Sequence, residues 1–204
     1  MLNKLKYGAI NNKKIIFFLL TLCIIGIISS SILITIISKS EKATIIDYIK
    51  NYITSLNKIN IQSMLLESLI NELIPILFVW IIGISIIGVP IILFIYFYKM
   101  FILGFTISSF ILTYNVKGLG IAILYIFPSK IISILVYTLI CLYAIKISNN
   151  LIYTLFNKKD TNNKIIKKYL KILMISIIII LFNIIYESTL LPLFLNKIAS
   201  FLKI

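Results

Sequence analysis

Apolar residues run along this chain in blocks too long for an ordinary soluble helix, and most polar positions fall between the blocks. The first block is Ile15 to Ile37. At about 1.5 Å per residue, its roughly 23 residues span the ~30 Å hydrocarbon core of a bilayer. Residues 1–14 ahead of it carry Lys4, Lys6, Lys13 and Lys14 and no acid. The block exceeds the roughly 7–15 residues of a signal-peptide core, and no Ala-x-Ala cleavage site follows it. Residues 15–37 therefore read as an uncleaved first transmembrane helix.

Residues 38–73 form a polar segment in which Lys39, Lys42, Lys50 and Lys58 balance Glu41, Asp47, Glu67 and Glu72. Within it Ile45, Ile49, Tyr52, Ile53 and Leu56 recur at helical spacing and mark one apolar face. Two readings fit that face. It lies on the outer membrane surface, or it docks a partner outside the membrane.

Residues 74–156 hold three apolar runs, and the chain is arranged around them. The first, Ile74 to Tyr98, has Trp80 and the pair Tyr96 and Tyr98 as interface aromatics. Gly88-Val89-Pro90 near its middle predicts a kink, because proline lacks a backbone donor and clashes with the preceding turn. Lys99 then snorkels to the headgroups. The second run, Met100 to Tyr114, is only about 15 residues, short for a crossing. It crosses a thinned bilayer or is re-entrant, and crossing is the expectation. Gly104 and Ser108 form a small-x-x-x-small pair that lets helices approach closely. After a turn at Lys117-Gly118-Leu119-Gly120, the third run spans Ile121 to Ile145 and bends at Pro128. Helix breaks or close contacts are thus expected at Gly83, Gly88, Pro90, Gly104, Pro128 and Pro192.

Residues 157–171 form a basic loop, and seven lysines stand between Lys146 and Lys171 against one Asp. The positive-inside rule places this loop in the cytoplasm. Residues 172–204 supply the last transmembrane helix, to about Tyr186 or a little beyond, and an extracytoplasmic tail. The expected fold is an all-α integral membrane protein of about five transmembrane helices, N-terminus cytoplasmic and C-terminus extracytoplasmic. Twelve lysines, Lys99 among them, then fall inside, seven outside, and Lys130 within a span.

Composition agrees with lipid as the main solvent. The chain is 61% hydrophobic and 13% charged, with a mean hydropathy of +1.11, whereas soluble domains are about 25% charged. The runs lack the alternation of outer-membrane strands. The net charge of +14 would suggest nucleic acid in a soluble protein. Here the lysines flank the spans and bind the lipid bilayer, so no nucleic-acid partner is expected. Cys23 and Cys141 both lie in apolar runs, so no disulfide is expected between them.

Chemistry has little to work with. There is no His, which excludes a Ser-His-Asp triad and a zincin site. No nucleotide-binding glycine motif is present, and the acids of the polar segment form no convergent pair of the glycosidase type. No catalytic, cofactor-binding or metal-ligating residue is expected, and the chain does not read as an enzyme. Two ionisable residues fall within or near the spans. Lys130 is about 15 Å into the fourth span, and Glu187 is about 12 Å into the fifth if that span reaches Leu195. They pair as an intramembrane ion pair, with a transport relay as one possible use, or the fifth span ends at Tyr186 and Glu187 is in the wet interface.

Trp80-Ile-Ile-Gly83, Gly88-Val-Pro90, Lys99 and Gly104-Phe105 resemble, in order and spacing, the core of the stage II sporulation protein M family. The Lys117-Gly118-Leu119 turn, the Phe127-Pro128 bend and Glu187 followed by Pro192 fit the same pattern. Met100 and Ser108 stand where that family often has small or glycine positions, and Lys130 where a neutral polar residue is usual. The resemblance implies a non-catalytic membrane scaffold of engulfment during endospore formation, on the mother-cell side of a sporulating bacterium. Its implied partners are the peptidoglycan hydrolase stage II sporulation protein P and, through it, stage II sporulation protein D. The competing reading is a permease subunit of an ATP-driven export system, which kinked helices and intramembrane charges also suit.

Overall fold

The computed structural model describes residues 12–55, 61–85, 87–125, 129–157 and 163–201. Leu56 and Pro128 lie outside the described residues. The elements are α1 (Asn12–Ile36), α2 (Lys39–Ser55), α3 (Ile61–Ser68), a π-helical turn (Leu69–Leu73), α4 (Ile74–Gly83), α5 (Gly88–Tyr125), α6 (Ile131–Asn157) and α7 (Asn163–Phe201). Among the described residues, five helical stretches are long and apolar enough to cross a bilayer: Lys13–Ile36, Ile61–Gly83, Gly88–Tyr125, Ile131–Thr154 and Lys167–Leu195.

The second and third crossings are divided differently from the apolar runs. The chain breaks between Gly83 and Gly88, not at Lys99. There the Ile84 and Ser85 amides donate back to the Ile81 and Ile82 carbonyls at 3.1 and 2.9 Å, closing the end of α4. Gly88 packs so tightly on the Ile82 carbonyl that a Cβ would collide with it. Pro90 consequently sits in the first turn of α5, where a missing amide costs nothing, and does not kink a span. The run from Ile74 to Tyr98 is the second half of one crossing and the first half of the next. Lys99 is therefore not at the headgroups but deep in α5, which removes the difficulty of a short third span.

At Asn115 the backbone adopts φ 52° and ψ −128°, and α5 doubles back on itself. The Phe110 and Tyr125 ring centroids are 5.7 Å apart; fifteen residues of straight helix would separate them by about 22 Å. Asn tolerates positive φ better than most residues, and Gly118 lets the returning arm press against the Phe110 carbonyl. The turn thus falls at Asn115, ahead of the expected Lys117–Gly120, and residues 116–125 form a short helical arm re-entering the bundle. Lys130 follows that arm and directly precedes α6.

Small residues set the closest helix contact. The α1–α5 interface is the most extensive in the bundle. A Cβ on Gly26 would come within 3.0 Å of the Met100 Cβ, and one on Gly104 within 2.7 Å of the Ile27 Cα. Met100, buried to 1% exposure, fits on α5 because glycine stands opposite it on α1. Ser31 and Ser108 share a hydroxyl hydrogen bond of 2.8 Å across the same seam. Gly83 makes the equivalent close contact with Ala144 of α6 and Tyr169 of α7. The Tyr169 hydroxyl donates to the Trp80 carbonyl at 2.9 Å, and the two rings stack.

α2 closes the opposite end. Ser38 caps it reciprocally with Glu41: the Ser38 amide donates to Glu41 Oε2 at 2.8 Å, and the Glu41 amide to Ser38 Oγ at 3.3 Å. The Ser38 hydroxyl also donates to Glu41 Oε2, at 2.8 Å, and this bond, with that from the Ser38 amide, holds the Glu41 carboxyl below its usual range. Ile49 and Ile53 are buried against Phe110, Ile121, Ala122, Leu191 and Leu195, with Ile45 and Tyr52 packed around them. The apolar face of residues 45–53 is thus spent inside the chain. It neither lies on lipid nor offers a partner its apolar side, because the mouth of the bundle supplies the complementary apolar surface. α7 also runs through Pro192 to Phe201, so neither Tyr186 nor Pro192 ends it.

Candidate charge cluster at mid-membrane

Glu72 stands eleven residues before Gly83, and Lys99 eleven residues after Gly88. Both are thus about 16 Å from the end where α4 and α5 meet, close to the middle of a ~30 Å hydrocarbon layer. Lys130, immediately before α6, and Glu187 of α7 meet them there. Lys130 Nζ lies 2.9 Å from Glu72 Oε1 and 2.6 Å from Glu187 Oε1. Lys99 Nζ lies 3.4 Å from Glu72 Oε2 and also donates to the Asn71 carbonyl.

The local backbone explains these positions. A π-helical turn takes one extra residue per hydrogen-bonded ring and rotates the side chains that follow. Here it turns Glu72 inward, to 4% exposure, while its neighbour Asn71 faces outward. The arm ending at Tyr125 brings that ring to 5.5 Å from Lys130 Nζ, a cation–π contact. Ser129 Oγ donates to Glu187 Oε2 at 3.0 Å, and Asn183 Nδ2 donates to Ser133 Oγ at 3.0 Å.

The cluster's formal charge is zero, two lysines against two glutamates. That balance matters because an unpaired charge in hydrocarbon costs several kcal/mol or more, and removing one partner of a buried pair costs about 3–5 kcal/mol. The cluster also joins helices far apart in sequence: the turn before α4, α5, the start of α6, and α7. Chemically, both carboxylates accept hydrogen bonds from ammonium groups and cross-link the bundle. Among the described residues, no group of three or more His, Cys, Asp or Glu gathers to hold a metal ion.

Of the two readings open for Lys130 and Glu187, the ion pair is the one present, whereas Glu72 was expected in the outer segment and Lys99 at the headgroups. Counting about 20 residues back from the Gly83–Gly88 break would have placed Glu72 inside a span. Two cavities flank the cluster. One, of about 420 Å³, is bounded by α4, α5 and α6 beside Glu72, Lys99 and Lys130. The other, of about 220 Å³, lies beneath α2 and reaches Lys130 and Glu187 from Tyr48, Tyr52 and Glu67. Burial there raises the Tyr52 phenol, helped by Tyr125 and the Glu187 carboxylate.

Lysines crowd the other end of the bundle. Lys146 of α6 and Lys168 of α7 both approach the Tyr143 ring, at 5.4 and 5.3 Å. Lys13 and Lys14 begin α1 there, and Lys167 and Lys171 flank Lys168.

The model of the stage II sporulation protein M family matches residues 15–192. No curated protein and no solved structure matches the chain.

Proposed function

This chain belongs to the stage II sporulation protein M family, and from that premise we propose that it is a non-catalytic membrane scaffold of endospore engulfment. It recruits the peptidoglycan hydrolase stage II sporulation protein P and, through it, stage II sporulation protein D to the engulfing membrane on the mother-cell side. The observation that carries this reading is the use made of the buried charges. All four bond to one another or to backbone and small polar groups, which locks helices into a frame. A frame of fixed geometry suits a protein that holds others and raises their effective concentration at one place.

The basic end faces the cytoplasm in this reading, which puts α2 on the wall side. Its apolar face is occupied, so the partner meets the rest of its surface, where Asp47, Lys50 and Asn51 are exposed on the outer face and Tyr48 stands at its edge, beside the cavity below. Tyr48, 70% exposed, supplies an aromatic anchor among polar groups, as interfaces favour.

The test is capture of stage II sporulation protein P by the tagged full-length chain from sporulating cells, in parallel with Tyr48→Ala plus Asp47→Lys. The proposal predicts capture by the parent and loss of most of it by the variant, at equal membrane levels. Absence of the hydrolase from the parent's capture would contradict the scaffold reading.

A further inference from the structure

Lys146 and Lys168 meet at one ring. Their ammonium groups lie 5.4 and 5.3 Å from the centre of Tyr143, one from α6 and one from α7. That keeps the two cations within roughly a Debye length, ~10 Å at 0.1 M salt, so their repulsion is not fully screened. No Asp or Glu occurs among the described residues of this end of the bundle, and Asp160 is the single acid between Lys146 and Lys171. The chain neighbours fix the height. Ala144 and Tyr169 both pack on Gly83, where α4 ends. Tyr143 and Lys168 are therefore level with that end, about 16 Å from mid-membrane and at the edge of a hydrocarbon layer of about 30 Å.

Membrane-ward of the two lysines the surface turns apolar. On α6, Leu139 and Leu135 follow Lys146 and Tyr143 at helical spacing, on the same face, and both are exposed. On α7, Ile175, Ile178 and Phe182 follow Lys168 and Lys171 in the same way, and all three are exposed. The two helices stay together as far as Ser133 and Asn183, which share a hydrogen bond of 3.0 Å. They thus present two apolar lanes that begin at one pair of cations. A lysine that merely snorkels reaches out into water. Here both ammonium groups turn instead toward a ring that carries a hydroxyl donor of its own.

We propose that this end of the α6–α7 pair binds one anionic diacyl phospholipid. Its headgroup phosphate bridges Lys146 and Lys168, with the Tyr143 hydroxyl as a further donor, and its two chains lie along the two lanes. A phosphate between the ammonium groups replaces their repulsion with charge-assisted hydrogen bonds, and basic pockets between helices at a membrane face take such headgroups. Free phosphate in water meets the same cations but makes no use of the lanes. A phospholipid in the leaflet arrives with its phosphate at the height of the cations and its chains already beside the lanes. Neither the scaffold role nor the mid-membrane charge cluster depends on this ligand.

The experiment uses the full chain purified in neutral detergent, with dioleoyl phosphatidylglycerol as probe and dioleoyl phosphatidylcholine as the zwitterionic control. Bound lipid is counted by native mass spectrometry. One phosphatidylglycerol per chain is expected at saturation, with phosphatidylcholine bound roughly tenfold more weakly, a difference of about 1.4 kcal/mol. Inorganic phosphate should not displace the lipid. Lys146→Gln with Lys168→Gln should weaken binding roughly tenfold or more, while Lys146→Arg with Lys168→Arg retains it. Lys168→Gln alone, at an exposed residue, should weaken it severalfold, so the test stands even if the double variant fails to fold. Lys13→Gln with Lys14→Gln removes the same charge from the same end and should leave binding unchanged. An equal loss from the two Gln pairs, or lipid taken up without saturation, would mean diffuse attraction to a basic surface and would overturn the proposal. Unchanged binding by the Lys146 and Lys168 variants, or equal binding of phosphatidylcholine, would overturn it too. Displacement by inorganic phosphate would make the ligand a water-borne anion and overturn it as well.

Discussion

Glu72 accepts from Lys99 across the gap between the second and third crossings, each residue at mid-height of its own helix and eleven residues from the turn that joins them. A hairpin of two apolar helices can slide by a turn at little cost in lipid, because the side chains along it are nearly interchangeable. A pair of opposite charges at matched height removes that freedom. Glu72→Leu strands Lys99, with only the Asn71 carbonyl left to it, and should cost about 3–5 kcal/mol. Adding Lys99→Leu should recover most of the loss, because Lys130 and Glu187 still neutralise each other. Thermal unfolding in detergent for the single and double variants reads this directly.

The α1–α5 seam should respond to size rather than polarity. A Cβ at residue 104 meets backbone atoms of Ile27 below 3.0 Å, and backbone does not yield as a flexible side chain does. Gly104→Ala should lower stability by about 1–3 kcal/mol, and Gly104→Leu should separate the helices. Gly120 has nothing within 4 Å of its would-be Cβ. Gly120→Ala should therefore be neutral or stabilising by up to about 1 kcal/mol. Unfolding midpoints of the three variants, compared with the parent, check the contrast.

The lid formed by α2 is held by its buried face. Ile49 and Ile53 are 6% and 5% exposed. Replacing Ile53 by Ala should cost about 2–5 kcal/mol and open the lid before the bundle melts, exposing Tyr52 to iodination. Lys50→Ala, on the outer face, should change neither midpoint nor labelling.

Tyr137 offers a prediction of opposite sign. Its buried hydroxyl has no hydrogen-bond partner among the described residues, and such a group costs about 1–3 kcal/mol. Tyr137→Phe keeps the ring and its stacking on Tyr96 and should raise the unfolding midpoint by the equivalent of about 1 kcal/mol. A fall in the midpoint would show that the hydroxyl is engaged.

The number of crossings was legible in the sequence because lipid requires long apolar blocks. The small-residue pair Gly104 and Ser108 was legible for a related reason, since spacing of four puts both on one helix face. What misled was polarity used as punctuation. Lys99 looked like a loop because an isolated lysine in hydrocarbon is costly, yet paired with Glu72 it is tolerable, and pairing is a tertiary fact. Glu72 was hidden by the same logic, assigned to water with the other acids of its segment. The apolar face of α2 was visible but not its target, because Phe110, Ile121 and Leu191 form a surface only after the chain reverses at Asn115. That reversal rests on one Asn with positive φ, for which the neighbouring glycines gave a close but displaced signal.

The central claim is that the buried charges hold the bundle together as a balanced set. Lys130→Leu leaves Glu187 with Ser129 as its remaining hydrogen-bond donor and should destabilise the protein by about 3–5 kcal/mol. Lys130→Leu with Glu187→Leu leaves the Glu72–Lys99 pair neutral and should regain most of that loss. Lys130→Leu with Glu72→Leu leaves Lys99 and Glu187 both unpaired and should regain none. Unfolding free energies of these three variants, with membrane levels measured alongside, decide it: recovery with Glu187→Leu alone supports the account, and no recovery, or equal recovery with either acid, contradicts it.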